Sequence, residues 1–171
     1  MSKGLIKKMI KPLEGQINLF EEEDKALAEK KQDTLRYITA GNATFTIEST
    51  KLDKRFTYKV VHKKNDKCSH RYIVSRMYGS DNESDYKFVG IYYADTGAFK
   101  TKAPADNKPV EDKMFAAFIK MLHSPTELWY DTCKFYKSAK CAHCGRKLTT
   151  PESIERGIGP ECYERVLNKG V

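Results

Sequence analysis

Three cysteines near the end of the chain have the types and spacing of metal ligands: Cys141 and Cys144 in a C-x-x-C-G turn, and Cys162 downstream. Such a turn delivers two thiolates from one knuckle, and its glycine, Gly145, lets the backbone curl around the ion. Cys162 follows Gly159-Pro160, and a proline there suits the first turn of a helix running through Cys162 to Leu167. A thiolate in that turn gains from the helix dipole and can meet the knuckle from its other side. A knuckle with a helix-borne cysteine is the logic of a treble-clef-like zinc module, so the expected cofactor is Zn2+. Tetrahedral zinc wants a fourth donor. Cys133 is the first choice, as a thiolate close in sequence; His143 sits inside the knuckle and is expected to point away, and His123 is a more distant alternative. Cys68 and His70 form a lone C-x-H in an expected loop and read as incidental. The site reads as structural, because no H-E-x-x-H helix or H-x-E pair supplies a general base.

The segment CAHCGRKLTTPESIERGIGPEC carries Cys141, Cys144, Gly145, Arg146, Leu148, Pro151, Ser153, Gly157, Gly159, Pro160 and Cys162. It resembles a family of domains of unknown function, common in bacteriophages and mobile elements, with the pattern C-x-x-C-G-R-x-L, P-x-S, G-x-G-P-x-C. The upstream stretch YIVSRMYGSDNESDYKFVGIYY resembles the segment that often precedes this motif. The resemblance implies a zinc fold and a phage setting, but no activity. Many relatives carry a histidine a few residues before the first motif cysteine, roughly where this chain has Lys137.

The second chemical signal is charge. The net charge is +8, and its placement matters more than its size. Residues 1–33 balance seven Lys against seven acidic residues, whereas residues 34–125 hold sixteen Lys/Arg against ten Asp/Glu. Most of that excess lies between Lys51 and Arg71. Strands bearing Lys51, Lys54, Arg55, Lys59, Lys63, Lys64, Lys67 and Arg71 can follow phosphates, with Arg146, Lys147 and Arg156 adding a basic tip on the zinc module. Phe56, Tyr58 and Tyr72 can stack on bases if they face outward; facing inward they are core. The plainer alternative is a lysine-rich surface that only solubilises.

The elements that must position these groups fall into three parts. Residues 1–33 read as a flexible or facultatively helical arm, since EEEDKALAEKKQ has good helix formers and little to bury. Within it, Gln16-Ile17-Asn18-Leu19-Phe20 resembles the Q-L-x-L-F peptide by which replication and repair proteins dock on the bacterial sliding clamp. That resemblance implies an extended peptide that seats Leu19 and Phe20 in a pocket, with Gln16 setting register and Ile17 in place of the usual Leu. From Leu35 the pattern reads as strands, with Ala40-Gly41-Asn42 as a turn between the first two. KRFTYKVVHKK alternates at period two, RYIVSRMYG is a further strand, and YKFVGIYYADTGAFKTK is a hairpin turning near Asp95-Thr96-Gly97. Met114, Phe115, Phe118, Ile119 and Leu122 form a helical stripe that Pro125 should stop. Residues 34–125 are thus expected to be an α+β domain, a twisted antiparallel sheet with a covering helix, and residues 126–171 the zinc module.

An aromatic fraction of 11% supports a real core and argues against wholesale disorder. No apolar run approaches the roughly 20 residues of a membrane helix, and the N-terminus lacks a secretory cleavage pattern. Five cysteines, an odd number, fit a reduced compartment better than a disulfide framework, so the expected location is the cytoplasm of a bacterial host. The functional expectation is a non-catalytic zinc-containing accessory protein that binds nucleic acid and is recruited to the sliding clamp. Two alternatives stand beside it: an inhibitor of a host replication or defence protein, and a metal-dependent nuclease using Asp81, Glu83 and Asp85.

Overall fold

The computed structural model describes residues 14–81, 83–124 and 132–169, with side chains from residue 21 onward. Helix α1 spans Glu14–Ile38. A meander follows: β1 (Asn42–Ser49), β2 (Lys54–Val61), β3 (Arg71–Met77), β4 (Tyr86–Tyr93) and β5 (Ala98–Thr101). Then come α2 (Val110–His123), β6 (Cys133–Lys137), α3 (Pro151–Arg156) and α4 (Pro160–Asn168). The sheet runs β5-β4-β3-β2-β1-β6 with every pair antiparallel, so β6 returns to lie beside the first strand. The fold is α+β, as the pattern of periods predicts.

Period-two alternation gives the sheet two unlike faces. Ala43, Phe45 and Ile47 of β1 point into the core, joined by Tyr58 and Val60 of β2, Val74 of β3 and Tyr92 of β4. Helix α2 covers this face with Met114, Phe115, Phe118, Ile119 and Leu122, the five positions its stripe predicts. Phe118 stacks on Phe135 of β6 with ring centroids 5.5 Å apart, and Phe45 packs 5.1 Å from the same ring. Burial of each such ring contributes about 1.5–3 kcal/mol. Tyr58 directs its hydroxyl to the carbonyl of Glu111 in α2 at 2.7 Å, which satisfies a polar atom that the core would otherwise strand.

The sequence places strand character from Leu35, and here the structure differs. Leu35–Ile38 is the last turn of α1. Lys31, Thr34, Leu35 and Ile38 recur at helical spacing and are all buried, so tertiary packing overrides the β-favouring composition. The Lys31 ammonium donates to the carbonyl of Ser124 at 2.6 Å, tying α1 to the end of α2. Residues 21–30 of the same helix are exposed apart from half-buried Leu27. The boundary expected at residue 33 therefore falls inside one continuous helix. Pro125, expected to stop α2, lies outside the described residues; α2 ends at His123. Among the described residues, no helix is long and apolar enough to cross a membrane.

Candidate metal centre and the adjoining sheet face

Beyond β6 the chain makes a knuckle held by its own backbone. Cys141 N–H donates to Arg146 O at 2.8 Å and Gly145 N–H to Cys141 O at 2.9 Å. Gly145 sits at φ +77°, a conformation that a side chain disfavours. Helix α3 then ends at Gly157, at φ +76°, where an added Cβ would lie 2.3 Å from the Tyr37 ring. Helix α4 starts with Pro160 in its first turn and carries Cys162, as its sequence predicts. These turns bring Cys141, Cys144 and Cys162 together with their sulfur atoms within 4.8 Å of one another. Four metal–sulfur bonds of about 2.3 Å in a tetrahedron put sulfurs about 3.8 Å apart, so the three thiols can hold a metal ion. Cys141 and Cys162 are buried and Cys144 is exposed.

The cluster is prepared for charge. Burial works against the Cys141 thiolate, but N–H groups of Cys144, Gly159 and His143 outweigh it and hold this thiol below its usual value. Gly159 N–H lies 3.4 Å from its sulfur. Burial and then the two neighbouring sulfurs push Cys162 the other way. A cation among the three would remove that mutual repulsion.

Cys133, the first choice for a fourth donor, is not brought in. It pairs with Ser49 at the far end of β6, and four residues of extended strand separate its position from Lys137 by about 13 Å. His143 belongs to the knuckle yet is tied elsewhere: its Nδ1 donates to Ala40 O at 2.6 Å. His123 ends α2 with Nε2 2.9 Å from the Tyr92 hydroxyl, also outside the cluster. Lys137 sends its ammonium to the carbonyls of Glu155 and Arg156 at 2.9 and 3.0 Å, capping the C-terminus of α3. Burial depresses its pKa. Asn42 N–H to Ala142 O at 2.6 Å and Ser138 N–H to the Tyr37 hydroxyl at 3.1 Å complete the junction, so the knuckle is fastened to β1 and α1 as well as to β6.

The sheet face opposite the core is uncovered beside this knuckle. A concavity of about 1060 Å³ has Thr44, Thr46 and Thr57 on its floor, Arg55, Lys59 and Tyr136 around them, and Lys140, Cys141 and Gly145 as one wall. Of the eleven basic residues singled out from sequence, Arg55 and Lys59 line it. Lys51 lies in the β1–β2 turn, and Lys54 takes the core-side register opposite Ser49 at the strand end. Lys63, Lys64 and Lys67 lie in the β2–β3 loop, and Arg71 is paired with Asp66 there at 2.7 Å. Arg146 and Lys147 are exposed on the knuckle, and Arg156 lies 4.2 Å over the Tyr163 ring. Tyr58 and Tyr72 face the core and Phe56 packs against it, so none of the three is a stacking platform. Sequence reading missed Lys140 and Tyr136. The signal for Tyr136 was the alternation in CKFYK, where Cys133 and Phe135 point inward and Lys134 and Tyr136 outward.

Asp81, Glu83 and Asp85 are employed as a turn. Asp81 accepts from Glu83 N–H at 2.8 Å and Ser84 Oγ at 2.7 Å, Asp85 accepts from Asp81 N–H at 2.9 Å, and Glu83 pairs with Lys140. Gln16, Ile17, Leu19 and Phe20 lie in the first turns of α1, helical in backbone, with their side chains outside the described residues. Docking as an extended peptide would require those turns to unwind.

A family of unknown function, DUF6011, matches residues 135–167, which run from the end of β6 through the knuckle to α4. No curated protein and no solved structure matches the chain.

Proposed function

We propose that this is a non-catalytic accessory protein that binds nucleic acid on the open face of its sheet, beside a structural zinc site formed by Cys141, Cys144 and Cys162. The observation that carries the reading is the concavity itself: cationic side chains of Arg55, Lys59 and Lys140 surround a floor of threonine hydroxyls, with Glu83 the one carboxylate among the described residues of the lining and paired with Lys140. Phosphates favour such a setting through counterion release, and hydroxyls add hydrogen bonds. Zinc suits three clustered thiolates better than harder cations do. Its role is to hold the knuckle that walls the concavity, since among the described residues no histidine or carboxylate joins the three sulfurs. The carboxylates of the Asp81–Asp85 turn are engaged in local hydrogen bonds and an ion pair, which speaks against their serving a nuclease metal.

The test is fluorescence anisotropy of labelled mixed-sequence DNA and RNA across a salt series, on zinc-loaded protein. Affinity should fall steeply with salt, and Arg55→Glu with Lys59→Glu should weaken binding and flatten that slope. Absence of binding at low salt would sink the proposal. Recruitment to a sliding clamp through residues 16–20 is a second reading, favoured by the exposure of residues 21–30 beside that segment. Loss of clamp binding in Leu19→Ala with Phe20→Ala checks it.

A further inference from the structure

The open face is not merely basic, and its aromatic residues narrow the ligand. Tyr136 stands on edge strand β6, opposite Thr46, and is 41% exposed. Its ring is held by the Arg55 guanidinium, 5.3 Å from the centroid. Phe88, 46% exposed, occupies the same face on β4: it pairs with Ser75, which pairs with Lys59 of the concavity. Water-exposed rings on a sheet whose other face buries its aromatics are poor for stability and good for stacking.

We infer that this face takes single-stranded nucleic acid in preference to duplex, with an unpaired base stacked on Tyr136 and the strand crossing the sheet towards Phe88. The inference rests on the nucleic-acid reading above and names the form of the ligand. In a duplex the base faces are already stacked on one another, so a duplex can meet Arg55 and Lys59 with phosphates but gains nothing from Tyr136. Dimensions agree. The floor from β6 to β2 spans two interstrand steps, about 10 Å, walled by the knuckle. From β6 to β4 is four such steps, about 19 Å, which on stacked spacing is on the order of six nucleotides. The threonine hydroxyls between, with Thr46 and Thr57 hydrogen-bonded at 2.8 Å, offer polar contacts without a fixed pattern, which suits weak sequence preference.

The experiment compares labelled oligothymidylate, oligouridylate and a blunt duplex of the same length at low salt, with wild-type protein, Tyr136→Ala, Tyr136→Phe and Lys59→Glu. Single strands should bind about tenfold or more tighter than duplex, and the two single-strand arms decide between DNA and RNA. Tyr136→Ala should weaken single-strand binding about tenfold, leave duplex binding and the salt slope unchanged, and be rescued by Tyr136→Phe. Lys59→Glu should weaken both ligands and reduce the slope. Duplex binding as tight as single-strand binding, or a Tyr136→Ala protein that binds like wild type, would overturn the inference while leaving the broader reading intact. Failure of every ligand to bind at low salt would remove that reading too. Thermal denaturation of Tyr136→Ala separates a lost platform from a lost fold.

Discussion

On β1 the core side carries Ala43, Phe45 and Ile47, and the very next positions on the other side carry Thr44, Thr46 and Glu48. The strands beside it keep the same division: Tyr58 against Thr57 and Lys59 on β2, Phe135 against Lys134 and Tyr136 on β6. The core face is sealed by α2 and the end of α1, and its aromatic rings touch one another at 5–6.5 Å. The other face has threonines, cations and two exposed rings, and the Asp81–Asp85 turn reaches over part of it so that Glu83 meets Lys140. On the proposed reading stability belongs to one side and recognition to the other, with the cysteine knuckle touching both: it walls the open side and is fastened through Tyr37 and Lys137 to the closed one.

The largest effect expected from breaking that arrangement is metal removal. Structural zinc contributes roughly 10–16 kcal/mol to isolated zinc-finger peptides. Chelation, or Cys141→Ser with Cys162→Ser, should therefore abolish hydrogen-exchange protection in α3 and α4 while the β1–β5 meander and α2 remain protected. Metal analysis should give one zinc per chain. Collapse of the whole chain would mean that the core face depends on the knuckle as much as the open face does.

Next in size is a pair of truncations on opposite faces. Phe118→Ala should cost about 3–5 kcal/mol in urea unfolding, because it leaves a cavity beneath Phe45 and Phe135. Tyr136→Ala should stay within about 1 kcal/mol of wild type, as exposed positions do. Equal losses would erase the distinction between the faces.

A smaller effect belongs to alkaline pH. Burial first, and Cys141 after it, push the Tyr37 phenol up to about 12, against the hydrogen bond from Ser138 N–H. Burial also raises Tyr58, Tyr72 and Tyr92. A folded-state pKa above the unfolded 10.0 gives stability that is whole below pH 10 and is lost as pH rises through 12. For Tyr37 alone the loss is about 2–3 kcal/mol. Melting temperature against pH should fall over this window, and Tyr37→Phe should flatten part of the fall. The smallest effect is electrostatic: Glu83→Gln frees Lys140 at the rim, so it should tighten oligonucleotide binding a few-fold at low salt and leave it unchanged at high salt.

Much of this division was legible beforehand. The alternation in KRFTYKVVHKK and the stripe Met114–Leu122 define which side chains of β2 and α2 must be buried, because period two and period 3.6 leave few other arrangements. The three-cysteine cluster was legible for a different reason. A two-residue gap in a glycine-ended turn can point both sulfurs inward, and the proline before Cys162 announces the helix that completes the set.

Other features needed the fold. Leu35–Ile38 has strand-like composition, and only its packing against the sheet selects the helix. Cys133 is near Cys141 in sequence but held away by the strand between them, since an extended chain separates residues that a turn would unite. Basic residues that look continuous from Lys51 to Arg71 are dispersed by the β1–β2 turn and the β2–β3 loop, so that two of them reach the concavity and Lys140, remote in sequence, joins them. By itself the sequence determined the periods, the cysteine knuckle and the charge. The register of β6 beside β1 decided which cations and which ring meet, because side chains far apart along the chain become neighbours only when strands pair.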